Sequence, residues 1–230
     1  MDFIDENRNY IVSKFNEKDL KEYLNFLNNY LIEYRDKINL NKKITFGLEF
    51  EYEHSSKIAT DKFVRENLKS YNSTYEEDFN SGGEIISPVL IDSINTWLDV
   101  KRICNYLKEK NATVDENAGA HVHVGVSELG KDIESFKQFL LLYIAYEHII
   151  YRFANGERID ARSNQVAVAY PICITYSEFY KEILDTKDFN EMKQVLALNF
   201  NRFQGLNLNN IRFKNITKNS YKNTIEFRMA

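Results

Sequence analysis

One stretch near residue 50 alternates strictly between two kinds of side chain. Residues 43–53 read KITFGLEFEYE. Carboxylates alternate with large apolar groups along it. The carboxylates are Glu49, Glu51 and Glu53, and the apolar groups are Phe46, Leu48, Phe50 and Tyr52. Because successive side chains of a β-strand point to opposite faces, the pattern predicts a strand with three carboxylates on one face. Like charges about 7 Å apart repel each other, so this row is either solvated or neutralised by a cation.

Charge and composition exclude several classes of partner. The 230 residues carry a net charge of −4 and the isoelectric point is about 5.7, which argues against nucleic acid or an anionic membrane as the main partner. The sequence shows neither a bilayer-spanning stretch nor the regions of a signal peptide. Cys104 and Cys173 match no metal or redox spacing. We therefore expect reduced thiols and a cytoplasmic protein.

The remaining pattern predicts a helical extension followed by one mixed domain. Residues 17–38 show the three-and-four apolar spacing of a long amphipathic helix, which could cover the core or pair with a second copy of the chain. We expect residues 1–42 to form this extension and residues 43–230 a catalytic domain. No glycine-rich phosphate loop separates a strand from a helix, so an α+β fold with a mainly antiparallel sheet is predicted.

Further elements are predicted along the domain. Helices are expected over 58–70, 92–110 and 131–154 and near 176–198, and strands over 82–90, 118–126, 203–211 and 222–229. In helix 92–110, Ile94 and Leu98 are expected to face inward. The helix 131–154 is apolar nearly all round, which predicts that it is buried.

Four of the predicted strands carry side chains suited to metal chemistry. They contribute Glu49 and Glu51, then Glu84, then His121 with His123 on one face of GAHVHVG, and finally Glu226 with Arg228 in NTIEFRMA. Each alone is typical of a solvated strand face. Together on one sheet face, these carboxylates would repel each other unless a cation neutralised them. Carboxylate oxygens with one imidazole favour Mg²⁺ or Mn²⁺ over zinc.

The same segments carry a family resemblance. In order, FGLEFEYE, GGEIISPVL, GAHVHVG, RFQGLNLNNI and TIEFR resemble the amidoligases related to glutamine synthetase and glutamate–cysteine ligase. The resemblance runs from about residue 44 to the last residue. It implies a curved antiparallel sheet around ATP and Mg²⁺, and an enzyme that phosphorylates a carboxylate and lets an amine displace the phosphate. It also implies a domain that is short at its C-terminal end, since relatives continue beyond the E-F-R motif.

The resemblance implies a role for each matching position. The metal ligands would be Glu49, Glu51, Glu84, His121 and Glu226. The nucleotide would be bound by His121, His123, Arg162 and Arg228. Glu51, Arg158 and Arg228 would be catalytic, and Asn207 and Arg158 would bind substrate. The substrates would be small-molecule or peptide carboxylates and amines of unspecified identity.

Two other functions stay open at the level of sequence. The pair His121 and His123 would also suit a metal-dependent hydrolase that activates water. The short C-terminal end would suit a catalytically inactive relative that binds a nucleotide or a peptide.

Overall fold

The computed structural model describes residues 39–74, 81–114, 118–155, 176–200, 204–211, 213 and 223–228. The predicted extension up to residue 38, the candidate residues Arg158 and Arg162, and Cys173 lie outside these residues. The strands are β1 (Phe46–Tyr52), β2 (Asn72–Thr74), β3 (Gly83–Ile86), β4 (Ala120–Gly125), β5 (Leu206–Asn207) and β6 (Thr224–Phe227). The α-helices are α1 (Lys57–Asn67), α2 (Ile94–Glu109), α3 (Ile133–Asn155), α4 (Tyr176–Asp185) and α5 (Phe189–Asn199), and one 3₁₀ turn covers Leu129–Lys131.

The described strands form one six-stranded sheet in the order β2-β3-β1-β4-β6-β5. Every neighbouring pair is antiparallel. The prediction of a mixed fold with a mainly antiparallel sheet is therefore confirmed. The strands richest in predicted ligands, β1 and β4, lie side by side in the middle of the sheet, where their backbone groups are paired on both sides.

One face of the sheet is covered by helices and forms the hydrophobic core. A first cluster joins Phe46, Tyr52 and Ile85 of the sheet to Val64 of α1 and Ile103 of α2. A second cluster joins strands β5 and β6 to α3, α4 and α5, and its buried members include Leu206, Ile225, Phe136, Leu140, Phe179 and Met192. Burial of this apolar area is the main stabilising term of the fold.

Short polar caps decide where the covering helices begin. Two residues that can cap a helix, Asp92 and Ser93, precede α2. Ser93 is the cap, because its Oγ accepts a hydrogen bond from the backbone N–H of Thr96 at 3.2 Å. Asp92 instead accepts from the indole N–H of Trp97 at 2.7 Å and from the backbone N–H of Leu40 at 2.8 Å. Asp92 therefore links the segment before β1 to the first turn of α2.

The prediction that the helix at 131–154 is buried all round is wrong. Within α3, Leu142, Tyr146 and Ile149 are 60%, 50% and 49% exposed. They recur at i, i+4 and i+7 and so share one side of the helix, whereas its core contacts lie on another side. Ile94 and Leu98 of α2 are likewise exposed, at 53% and 44%, against the inward orientation expected of them. Among the described residues, no helix is both long enough and apolar enough to cross a membrane.

Candidate active site

The register of the antiparallel strands brings the predicted ligands onto one face of the sheet. Residues directly opposite each other on neighbouring strands point to the same side. These opposite pairs are Glu49 with His121, Glu51 with Glu84, His123 with Glu226, and Glu226 with Asn207. The alternation of each strand therefore places their apolar neighbours on the covered face and these polar groups on the other.

His121 stands at the centre of a ring of carboxylates. Its Nδ1 lies 3.1 Å from Glu49 Oε2, 3.6 Å from Glu51 Oε1 and 3.7 Å from Glu226 Oε1. The imidazole is almost completely buried, with 3% of its side chain exposed. Three acidic groups thus meet around one nearly buried nitrogen atom, and its burial strengthens their electrostatic interactions with it.

Glu49 lies between the two imidazoles. Its second oxygen, Oε1, is 2.9 Å from Nε2 of His123. Burial disfavours the charged form of Glu49, but the contacts with His121 and His123 outweigh it and hold the pKa of this carboxyl well below its usual range. Burial also lowers the pKa of His123, yet the contact with Glu49 and the charges of Glu49 and Glu226 raise it above its ordinary value. Glu49 is therefore a carboxylate at neutral pH.

Glu226 is held by three side chains on its own side of the sheet. Asn207 Nδ2 donates to Oε2 at 2.7 Å, and Arg228 Nη1 donates to Oε1 at 2.5 Å. Asn210 Nδ2 lies 3.5 Å from Oε2. With 5% of its side chain exposed, Glu226 is oriented toward His121 by these contacts. The Asn207 and Arg228 contacts are thus structural supports of the acidic cluster.

Glu51 and Glu84 form a second acidic pair beside the first cluster. Glu51 Oε2 accepts a hydrogen bond from the backbone N–H of Gly119 at 2.8 Å. Glu84 Oε2 accepts from the hydroxyl of Thr74 at 3.1 Å. Each carboxylate therefore has one oxygen fixed by a neutral donor, which orients the group without removing its negative charge.

A cleft of about 400 Å³ opens at the other end of the cluster. Glu49, Glu226, His123 and Arg228 line it, and the remaining lining is neutral, contributed by residues 45–48, 86–89 and 223–224 with Gly125 and Asn210. The volume suits a small organic ligand. The Nε of Arg228 is buried here and has no hydrogen-bond partner among the residues that the structure describes.

The donor atoms of the cluster fit a hard divalent cation. Ligand atoms from Glu49, His121 and Glu226 all lie within 4.8 Å of one another. An ion with ligand distances of about 2.1 Å holds its ligand atoms about 3 to 4 Å apart, so small side-chain rotations would bring the three onto one ion. Two carboxylates and one imidazole match the preferences of Mg²⁺ and Mn²⁺.

Comparison with known proteins identifies the family. The family model described as "Putative amidoligase enzyme" matches residues 51–230. The chain belongs to this amidoligase family. The name of the family indicates an enzyme that forms amide bonds. No curated protein and no solved structure gives a significant match.

The structure brings together those residues expected at an amidoligase site that it describes. Those that share the polar face or border its cleft are Glu49, Glu51, Glu84, His121, His123, Asn207, Glu226 and Arg228. Arg158 and Arg162 lie outside the described residues. Glu53, which continues the acidic row in the sequence, lies beyond the end of β1 in an isolated bridge with Thr113 and is 2% exposed.

Sequence reasoning missed the neutral residues that hold the acidic ones. Thr74, Gly119 and Asn210 each place a donor on a carboxylate of the candidate site, and Thr224 Oγ1 lies 3.3 Å from Nδ1 of His123. The alternation of β6 does place Thr224 on the face of Glu226. For the other three, no signal in the sequence gives the pairing, since it depends on how distant segments align.

Proposed function

We propose that the chain is an ATP-dependent carboxylate–amine ligase that uses Mg²⁺, or Mn²⁺ in its place. The observation that carries this proposal is the convergence of Glu49, His121 and Glu226 next to a cleft lined by Arg228, in a member of an amidoligase family. The same relationship supports assigning the antiparallel sheet to the glutamine synthetase-like type. In that arrangement the polar face of the sheet is the floor of the active site.

The carboxylates are proposed to hold the cations. Glu49, His121 and Glu226 would bind one ion, and Glu51 and Glu84 would contribute to a second. When bound, Mg²⁺ neutralises and polarises the phosphate oxygens of ATP. The protein supplies fixed positions, because the hydrogen bonds of Gly119, Thr74 and Asn207 orient the carboxylates before any ligand arrives.

The proposed reaction has two balanced steps. First, an oxygen of the substrate carboxylate attacks the γ-phosphorus of ATP, the bond to the β–γ bridging oxygen breaks, and ADP leaves with that electron pair. The product is an acyl phosphate. Second, the amine nitrogen attacks the acyl carbon, the carbon–oxygen bond breaks, and phosphate leaves with its electron pair. The nitrogen passes a proton to a carboxylate of the site, for which Glu51 is our candidate.

Arg228 is proposed to bind the phosphoryl group that is transferred. Its Nη1 is fixed by Glu226, while the buried Nε–H still lacks a described partner and can donate to a phosphate oxygen. His123, which also lines the cleft, is proposed to assist in nucleotide binding. Asn207 uses its amide on Glu226, so we propose that it positions this ligand at the substrate side.

The remaining assignments are also proposals. Arg158 and Arg162 are expected to bind phosphate or the substrate carboxylate, and the substrates are proposed to be small-molecule or peptide carboxylates and amines. Residues 43–230 are proposed as the catalytic domain, supported by a family match that spans 51–230, with residues 1–42 as an extension. We propose that the enzyme works in the cytoplasm, where ATP and Mg²⁺ are available, as a monomer or a homo-oligomer.

The test is an assay for coupled ATP cleavage and amide formation. The purified chain is incubated with Mg²⁺-ATP and a panel of carboxylates and amines, and ADP, phosphate and amide are measured by mass spectrometry. We expect release of ADP and phosphate in equal amounts with the amide, and loss of all three in Glu51→Gln. Background hydrolysis that is the same in Glu51→Gln would contradict the proposal.

Two measurements separate the alternatives. Tightly bound zinc in the purified protein, with hydrolytic activity that a chelator removes, would favour the metal-dependent hydrolase. Calorimetry that shows Mg²⁺-ATP binding without turnover on the full panel would favour a binding-only relative.

A further inference from the structure

Three glycines of the sheet region are closely packed, against backbone atoms at Gly82 and Gly83 and against a side chain at Gly125. A Cβ atom at Gly82 would lie 2.1 Å from the carbonyl oxygen of Tyr52, and one at Gly83 would lie 2.7 Å from that of Thr74. At Gly125 the Cβ would lie 2.5 Å from Thr45 Oγ1. Such distances are far below van der Waals contact, so a side chain at any of the three would displace its neighbour.

Gly47 is different, because the fold has room for a side chain there. A Cβ at this position would meet His123 Cβ at 3.7 Å and Ser87 Oγ at 3.8 Å, which are ordinary contacts. Its φ lies outside the left-handed region that favours glycine. Glycine inside a strand lowers stability relative to residues that have a side chain. Neither packing nor backbone conformation therefore explains glycine at position 47.

The space above Gly47 belongs to the cleft of the candidate active site. Gly47 lines this cleft and lies opposite His123 in the register of β1 and β4. It occupies the same face of β1 as Glu49, about 7 Å further along the strand. The floor of the cleft next to the acidic cluster is therefore bare backbone.

We propose that the phosphate chain of a nucleoside triphosphate lies directly against β1 at Gly47, where the absence of a side chain allows this close approach. This inference rests on the proposed function and deepens it, because it places the nucleotide at the cleft end of the cluster. Backbone without a side chain permits close approach of a ligand. The phosphate chain would then pass between the cation site at Glu49 and the guanidinium of Arg228, since both residues line the cleft.

The rest of the cleft suits the other parts of the nucleotide. Beyond Gly47 the lining is free of charged side chains, with Thr45 on one side and Pro88 and Val89 on the other. Val89 is 63% exposed, so the cleft has an apolar rim. An apolar, uncharged mouth is compatible with a ribose and a base.

The experiment increases the size of the side chain at position 47 in two steps. Binding of Mg²⁺-ATP and of Mg²⁺-tripolyphosphate is measured by calorimetry for the wild type, Gly47→Ala and Gly47→Val, and thermal unfolding is recorded for all. We expect both affinities to fall, by about threefold in Gly47→Ala and by about tenfold or more in Gly47→Val. The unfolding temperature should not fall, because valine is favoured in strands.

Asn72→Val is the matched control. It introduces the same side chain into the same sheet, at an exposed residue of the edge strand β2 that does not line the cleft but lies opposite Ile86, which does. We expect its affinity for both ligands to equal that of the wild type.

Each contrary result has its own meaning. Unchanged ATP affinity in both Gly47 variants would overturn the inference and leave the proposed function intact. Weaker ATP binding with unchanged tripolyphosphate binding would also overturn it, since the base rather than the phosphate chain would then lie on Gly47. A lower unfolding temperature in both variants would show that the fold requires glycine at position 47, which would also overturn the inference. A wild type that binds neither ligand would overturn the proposed function as well.

Discussion

The two faces of the sheet are built from alternate residues of the same strands, yet they differ in almost every physical property. Ile85, Leu206 and Ile225 on the covered face are at most 1% exposed and pack against helices. Their chain neighbours Glu84, Asn207 and Glu226 face the other way and contact polar groups. The comparison indicates that, of two neighbouring residues in a strand, one stabilises the fold and the other belongs to the candidate site. Adjacent substitutions should therefore have separate effects.

The largest expected effect is on the covered face. Ile225→Ala should lower the free energy of unfolding by about 2 to 5 kcal/mol, because it leaves a cavity in a fully buried cluster. Chemical denaturation monitored by circular dichroism measures this change. The folded protein should keep its Mn²⁺ affinity, which electron paramagnetic resonance reports. A loss of affinity as large as that of an active-site variant would show that the two faces are not independent.

The next effect is on the polar face. Glu51→Gln should weaken Mn²⁺ binding by about a hundredfold, because it removes one full charge from the cluster. The amide oxygen of glutamine can still accept from the backbone N–H of Gly119, so we expect the unfolding free energy to stay the same or rise. Chemical denaturation measures the stability, and electron paramagnetic resonance measures the Mn²⁺ affinity. A stability loss as large as that of Ile225→Ala would contradict the division between the faces.

Asn207→Ala should affect both properties moderately. It removes the donor to Glu226 Oε2 and leaves this buried carboxylate oxygen, among the described residues, with the more distant Asn210, at a cost of about 1 to 2 kcal/mol. The freed carboxylate should also bind Mn²⁺ less tightly. Asn207→Asp serves as the comparison, because it keeps the shape and adds a like charge. Should Asn207→Ala change neither property, Asn207 would not be a support of Glu226.

The smallest effect concerns the start of α3, which covers the apolar face. Asp132 accepts from the backbone N–H groups of Glu134 and Ser135 and from the Ser135 hydroxyl. The hydroxyl and backbone hydrogen bonds hold its pKa below the ordinary 3.8. Its contribution is therefore present above pH 3.8 and is lost as the pH falls through the lower folded-state value.

Unfolding temperatures of the wild type and Asp132→Ala measure this contribution. The wild type should be more stable at pH 7, and the gap should narrow as the pH falls below 3.8. A gap that stays constant with pH would mean that the Asp132 carboxylate does not titrate with folding. Mn²⁺ binding at pH 7 should be the same in both proteins.

The fold was predictable from sequence wherever alternation or periodicity was strong. The alternation of Glu49, Phe50 and Glu51 gave the correct faces of β1, because strand geometry leaves two directions for a side chain. The periodicity of α3 gave the helix but misjudged its exposure. Apolar residues such as Leu142 do not reveal how many sides of a helix are covered, since that depends on its neighbours.

The site was predictable as a set of residues but not as an arrangement. His121 and Glu226 were expected at one face, yet their distances depend on the register between strands separated by long stretches of chain. The role of Gly47 was equally hidden. A glycine in a strand is visible in the sequence, but only the room around it shows that packing does not require it.

The strand order has a consequence for how this protein acquires its activity. β6 joins β4 directly, although Glu226 is separated from Glu49 by most of the chain. During synthesis, β1 to β4 can pair long before residues 224–227 exist, and until then the edge of β4 is open. Such distant pairing is slow to form. Before β6 is added, a nascent chain would lack Glu226 at the candidate site and would expose the edge of β4. Pairing of β6 would therefore complete the ligand set and cover an edge that could otherwise pair with another chain.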